Sequence, residues 1–324
     1  MFGLSISSVL EHWDYKETLQ DLSDLLQANI SKAALIKEID ASLSEENFSD
    51  VRMYLAIAQT HQYQINSQKY LDEIALKDTH FNRLSHQITD FSSGFIQGKG
   101  TNMAGLTGSV IADFTVVGDA RDLYQQYMLY EKGEKTNELI IVLSGVGLGL
   151  TALTVGSIGV ASPAKVGTSL LKVATKAQRL TLRFQKSLTK LGRKVFDWPA
   201  FRDLVKQDKS IANMRRAVKQ AYHPSAVEPL KVIAKRVDNI RQSSSTADAI
   251  QMLKYVETAD DLRHLEKVTV KYGSQTKGMM KLLGKGAIRT VRVLRKTTSL
   301  VVSIISSVVS SLVSLFFMMS FRRT

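Results

Sequence analysis

The sequence predicts an all-α integral membrane protein with two transmembrane helices, and with a third if a weaker apolar segment also spans the bilayer. Two runs without a charged residue, at 139–161 and 300–319, are each long enough to cross a hydrocarbon core. Only four prolines and few alternating β-branched runs occur in the 324 residues, which favours helix. The charge also changes sign across the first apolar run, as the positive-inside rule predicts for a membrane segment.

The first apolar run reads LIIVLSGVGLGLTALTVGSIGVA, 23 residues from Leu139 to Ala161. At about 1.5 Å per residue it covers a hydrocarbon core of roughly 30 Å with some tilt. A buried hairpin of a globular protein is the alternative, but a buried helix of this length normally has a polar face, and this run has none. Gly145, Gly149 and Gly156 recur on one side of the helix. They predict close helix packing, or only the glycine content that is usual for membrane helices.

The second apolar run reads LVVSIISSVVSSLVSLFFMM, from Leu300 to Met319. Its serines recur by four, three and four residues and therefore form one stripe on a helix: Ser303, Ser307, Ser310 and Ser314. A helix-packing seam is the main interpretation, because a hydroxyl gains a modest contact with a neighbouring helix in lipid. A serine-lined pore is the alternative.

The charge distribution predicts how the chain is oriented. Residues 1–161 hold 11 Lys and Arg against 20 Asp and Glu, whereas 162–297 hold 30 against 10. By the positive-inside rule, 162–297 then faces the cytoplasm and residues 1–138 lie outside. The recorded start has no good export signal, so either an upstream anchor precedes it or 102–118 is a third span. That segment contains Asp113, and an acid at mid-membrane costs about 2.5–3.5 kcal/mol, so we expect it to be interfacial.

The predicted organisation follows from these boundaries. It comprises an acidic helical extramembrane region at 1–93, a Gly-rich amphipathic element at 94–138, a transmembrane helix at 139–161, a basic helical cytoplasmic region at 162–297, and a C-terminal transmembrane helix with a short tail at 298–324.

The densest polar cluster precedes the first apolar run and is the candidate functional cluster: Asp113, Asp119, Arg121 and Asp122. Asp119 and Asp122 are three residues apart, so they share a face if this segment is helical. Two functional hypotheses follow, a divalent-cation site or a proton-carrying carboxylate near the bilayer. The structural alternative is a helix N-cap at Asp119, with Asp122 solvated and Arg121 paired nearby.

The motifs of several enzyme classes are missing from the sequence. There is no cysteine, which excludes disulfides, thiolate catalysis and cysteine-based zinc sites. No HExxH motif, G-x-S-x-G elbow or P-loop occurs. We therefore predict no catalytic, cofactor-binding or metal-binding residues, and a non-enzymatic protein.

In the basic region, cations interleave with apolar residues at two places. The apolar positions are Leu180, Leu182, Phe184, Leu188, Leu191 and Val195 at the first, and Leu282, Leu283, Ile288, Val291, Val293 and Leu294 at the second. Such helices can lie on a bilayer with the cations against anionic headgroups. Nucleic acid is the rival polyanion, disfavoured because a membrane tether brings lipid nearer. The alternative without lipid binding is a helical domain with a solvated basic surface.

Three stretches within 94–172 resemble an uncharacterised family of Gram-negative bacterial membrane proteins: GFIQGKG, GLTGSVIADFTVVGDARDL and SPAKVGTSLLKVA. The resemblance implies the bacterial inner membrane, and an N-terminal hydrophobic anchor that this sequence does not show. It implies no activity. We therefore expect a structural or adaptor protein that docks partners at this membrane and forms homo-oligomers. A channel-like or membrane-perturbing protein, using the Gly-rich segment, Asp113 and the serine stripe, is the alternative.

Overall fold

The structure is a computed structural model that describes residues 15–19, 22–77, 116–152, 162–208, 210–288 and 290–294. These residues form 14 α-helices and one pair of short strands. The helices, together with three short 3₁₀ turns, belong to one compact unit, Asp21–Ile288. The all-α prediction is therefore confirmed for the described part of the chain.

Within each described range, the helices follow one another through short loops. They are α1 Leu22–Asn29, α2 Lys32–Ser44, α3 Phe48–Thr60, α4 Ser67–Lys77, α5 Val116–Glu131, α6 Glu138–Ala152, α7 Pro163–Lys176, α8 Leu182–Val195, α9 Trp198–Gln207, α10 Ile211–Ala221, α11 Glu228–Ser243, α12 Thr246–Met252, α13 Ala259–Tyr272 and α14 Gln275–Leu283.

Helix α6 lies at the centre of the unit, packed by α5, α7, α8 and α10. Its side chains are buried on every side, as at Leu139, Ile141 and Leu143. Helix α7 packs in turn against α11, and the two backbones approach so closely at Gly167 that any side chain there would overlap the carbonyl of Ala234. Helices α6 and α7 therefore form much of the interior of unit Asp21–Ile288.

The prediction of an integral membrane fold is wrong. Within the described ranges, every helix is too short or too polar to cross a bilayer. A helix that is apolar all round is expected in lipid and equally at the centre of a helical assembly. The described part of the 139–161 run lies at the centre of a helical assembly, because four neighbouring helices provide the apolar surroundings.

The N-terminal helices are joined to α14, which lies far away in the sequence. Helices α1 and α3 both pack against α14, and Gly278 of α14 sits against the side chains of Met53 and Ile57 on α3. Asp50 of α3 is buried in this contact, with Lys277 Nζ at 2.5 Å and Lys281 Nζ at 3.0 Å from its carboxylate. These lysines keep the pKa of Asp50 below its ordinary value, although burial acts to raise it.

The second unit contains the two strands, β1 Tyr15–Leu19 and β2 Thr290–Leu294. They pair antiparallel, with Tyr15 opposite Leu294 and Leu19 opposite Thr290. We predicted that Val291, Val293 and Leu294 would lie on an amphipathic helix, and the structure shows a strand instead. The sequence TVRVL alternates β-branched residues with period two, a pattern that favours a strand.

Most apolar residues of α8 are packed inside the protein rather than free to contact a bilayer. Phe184, Leu188 and Val195 are fully buried, and α8 packs against α6 and α11. An interfacial helix must leave this face free to enter the acyl boundary. The buried face of α8 is therefore not free for the insertion that we expected from the sequence, whereas its lysines, its arginines and Leu182 are exposed.

Several predicted features lie outside the described residues. They are residues 102–115 of the segment 102–118, which include Asp113, then Gly156, the run 300–319, and the serine stripe Ser303, Ser307, Ser310 and Ser314.

The buried pair at the contact between α3 and α14 gives a first prediction. Asp50→Asn keeps the shape of the side chain but removes the charge between Lys277 and Lys281. We expect the free energy of unfolding to fall by about 2 kcal/mol, because the buried ammonium of Lys277 loses one of its two carboxylates and keeps only Asp248, at 3.1 Å. Urea denaturation followed by circular dichroism measures the change.

The matched control for Asp50 is Glu73→Gln, in the solvent-exposed pair Glu73–Lys77 on α4. An exposed pair contributes little, so this variant should lose less than about 1 kcal/mol. Equal losses in the two variants would contradict the buried pairing of Asp50.

Candidate functional site

Two of the predicted cluster residues lie on the inner face of α5. Asp119 and Asp122 are three residues apart and essentially fully buried. The helix that faces them with cations is α7, which begins at Pro163 after the cap Ser162, whose hydroxyl accepts a hydrogen bond from the Lys165 amide. This start places Lys165 in the first turn of α7 and, at helical spacing, Lys172 and Lys176 on the same side.

These residues form one ion network, Asp119, Asp122, Lys165, Lys172 and Lys176, which we call the α5–α7 network. Lys172 Nζ lies 2.6 Å from Asp119 Oδ1 and 2.8 Å from Asp122 Oδ2, so one buried ammonium bridges both carboxylates. Lys176 reaches Asp122 from the surface at 2.8 Å, and Lys165 donates to Asp119. Every carboxylate of the network is therefore already neutralised by lysine.

Helix α6 leaves room for the network at a glycine. The carbonyl of Gly147 accepts a hydrogen bond from Lys165 Nζ at 3.2 Å, and any side chain at position 147 would overlap the Asp119 carboxylate. Gly145 and Gly149, which we predicted as helix-packing positions, lie against the rings of Phe196 and Tyr222. The small residues of α6 thus let aromatic and charged groups reach the helix backbone.

The network holds more cations than carboxylates, and this imbalance alters its pKa values. Arg121 also contacts Asp122, at 3.2 Å, so four cations surround two carboxylates. Burial, with the like charge of Lys172 added, lowers the pKa of Lys165 to about 7. Burial acts to raise the pKa of Asp122, but Lys172 and Lys176 hold it below its ordinary value. Asp122 therefore remains suited to ion pairing.

The structure changes the interpretation of the candidate cluster. Asp122 is buried rather than solvated, and Asp119 pairs with lysines in place of a simple N-cap role. Among the described residues, no group of three or more His, Asp or Glu is placed to hold a metal ion. The ligands of these carboxylates are ammonium groups. Asp113 falls outside the part of the chain that the structure describes.

Sequence reasoning missed the three lysines of the α5–α7 network. We interpreted Lys165, Lys172 and Lys176 as cations that follow a membrane span. Their spacing of seven and four residues places them on one helix face within a largely apolar stretch, and this was the available signal. This spacing does not show that the lysines pair with Asp119 and Asp122, which are about fifty residues away in the sequence.

A second candidate site is an open groove of about 830 Å³ on the surface. One wall is the segment 135–139 at the start of α6, and the other is α8. The α8 residues that line it are Leu182, Gln185, Lys186, Thr189, Lys190 and Arg193. Together with Lys135, the lining holds four cations against the single carboxylate of Glu138, and we call it the basic groove.

Only one cation of the basic groove is paired. Arg193 forms a two-pronged ion pair with Glu138, with its second nitrogen 2.6 Å from Oε2. Lys135, Lys186 and Lys190 contact no acidic group among the described residues. Because the opposite face of α8 is buried, Lys186 and Lys190 are held at the surface on a firmly packed helix, and Lys135 lies in the loop before α6.

Comparison of the chain with protein-family models, with curated proteins and with solved structures found no match.

The bridging role of Lys172 gives a second prediction. Lys172→Met removes the ammonium between Asp119 and Asp122 and should lower the free energy of unfolding by about 3–5 kcal/mol, because two buried carboxylates lose a partner. Lys176→Met is the control on the same helix, with 36% of that side chain exposed. It should cost less than about 1 kcal/mol. Equal small losses in urea denaturation would show that Lys172 does not bridge the carboxylates.

The lowered pKa of Lys165 gives a third prediction, on pH dependence. Between pH 7 and 10.5 the unfolded chain holds a proton at Lys165 that the folded chain has lost, so stability rises with pH over that window. Relative to Lys165→Met, the native protein should gain about 3 kcal/mol between pH 7 and pH 9.5. The titrating groups that do not interact with Lys165 occur in both proteins and cancel in the difference. A flat or falling difference in urea denaturation would refute the lowered pKa.

Proposed function

We propose that the protein is a non-enzymatic docking protein that holds an anionic partner in the basic groove. The observation that carries this proposal is the set of three cations without an acidic partner among the described residues, Lys135, Lys186 and Lys190, around one concave surface. Elsewhere in the described residues, buried cations are matched by carboxylates, as at Lys172 and Lys277. Cations left unmatched in a cleft create a positive potential there, and this potential attracts anionic partners.

The α5–α7 network supports the non-enzymatic part of the proposal. A catalytic carboxylate must be free to accept a proton or to bind substrate. Asp119 and Asp122 are instead buried and contacted by three lysines, and neither lines the basic groove. Their role is to hold α5 and α7 around α6, which is the helix on which α8 packs.

Binding to a generic polyanion gives the fourth prediction. Fluorescein-labelled heparin oligosaccharide is titrated at 150 mM salt, where weak surface attraction is largely screened. The double variant Lys186→Ala/Lys190→Ala should bind about 10–30-fold more weakly than the native protein, since each well-placed cation contributes about 1 kcal/mol at an anionic surface.

The matched control is Lys206→Ala/Lys219→Ala. It removes the same charge from exposed lysines of α9 and α10 that do not line the basic groove. This control should change the affinity less than about threefold, since exposed charges more than a Debye length from the bound anion are largely screened. If both double variants lose the same affinity, binding follows net charge alone and the groove is not a docking site.

A further inference from the structure

We infer that the occupant of the basic groove is an acidic, amphipathic α-helix of a partner protein. This inference rests on the proposed function and specifies the partner. Four observations support it: the shape of the groove, the periodicity of its α8 wall, the positions of its charges and the exposed leucine that lines it.

The α8 wall has the residue spacing of a helix-packing surface. The α8 residues that line the groove follow one another at intervals of three, one, three, one and three: Leu182, Gln185, Lys186, Thr189, Lys190 and Arg193. This is the i, i+3, i+4, i+7 stripe with which one helix packs against another. The buried residues of α8 form the opposite stripe against α6 and α11, so this second stripe is available for another helix.

The size of the groove also fits a helix. The α8 wall runs from Leu182 to Arg193, an axial rise of about 16 Å or three helical turns. A helix of three turns can therefore lie along its whole length.

The charges define the polar side of the partner. Lys186 and Lys190 are four residues apart, so their Cα atoms are separated by about 6 Å along the axis of α8. Carboxylates four residues apart on a helix lying alongside are separated by the same rise and can pair with both. Lys135 adds a third cation from the opposite wall. An acidic helix therefore matches the groove in charge and in spacing.

Leu182 defines the apolar side of the partner. It lines the groove and is 75% exposed, while Leu139 at the start of α6 lines it from the buried side. An exposed leucine beside unmatched cations is suited to a partner that carries an apolar residue next to its acids. An amphipathic helix has this combination on adjacent positions of one face.

The alternative polyanions fit the groove less well. Single-stranded nucleic acid binds through aromatic side chains that stack on the bases, and no aromatic residue lines the groove. A bilayer surface is flat, whereas the groove has two walls, and α8 has its apolar face inside the protein rather than free for insertion.

The test uses the full chain and four probes in fluorescence anisotropy at 150 mM salt. They are an 18-residue helical peptide with a Glu and Leu face, the same peptide with Gln for Glu, an 18-nucleotide oligothymidine, and vesicles with 30% phosphatidylserine. We expect the acidic peptide alone to bind measurably. Binding should weaken at least tenfold in Lys186→Ala/Lys190→Ala and at least threefold in Leu182→Gln. The control Lys206→Ala/Lys219→Ala should bind like the native protein.

The role of Leu182 separates this inference from general anion binding. Leu182→Gln should leave heparin affinity unchanged while it weakens the acidic peptide. If heparin binding depends on the groove but the acidic peptide fails to bind, or oligothymidine or vesicles bind more tightly through the same lysines, the partner assignment is overturned and the docking function stands. If heparin binding itself ignores Lys186 and Lys190, both are overturned.

Discussion

A lysine with no exposure to solvent, Lys172, sets the arrangement of the helices around it. An ammonium group in the interior is tolerated only with carboxylates in direct contact, and here Asp119 and Asp122 both supply them. This requirement places the inner face of α5 opposite the inner face of α7, with α6 between them. It also explains the glycine at position 147, because the Lys165 and Asp119 side chains meet where a larger residue would stand.

The same type of contact recurs where the ends of unit Asp21–Ile288 meet. Asp50 of α3 pairs with Lys277 and Lys281 of α14, residues separated by more than two hundred positions. The acidic and basic halves of the sequence are thus complementary parts of one structure: acids from the first half find their partners in the second. We interpreted the charge difference between the two parts of the sequence as membrane topology. In the structure it corresponds to ion pairs between helices.

The charge that remains after this pairing lies on the outside, and the buried elements determine where. Helix α8 packs its apolar stripe on α6, and Arg193 pairs with Glu138 at the start of α6. This orientation turns Lys186 and Lys190 outward beside Lys135 and leaves a helix-spaced stripe exposed. The position of the basic groove therefore depends on the same central helix, α6, that accommodates the α5–α7 network. A groove built on packed helices loses little entropy when it binds, which favours recognition of a defined partner shape.

The sequence by itself determined the helical class, the uncharged character of the 139–152 stretch, and the shared face of Asp119 and Asp122, because helical spacing and uncharged runs are local properties. It did not determine what surrounds the apolar helix, since lipid tails and neighbouring apolar helices select the same residues. It also could not identify Lys172 as the partner of both acids, because spacing within one helix shows only which residues share a face. The packing of the whole unit determines which helix contacts that face. Only the tertiary structure therefore shows that the expected membrane span is a core helix, and that lysines after this span form buried ion pairs.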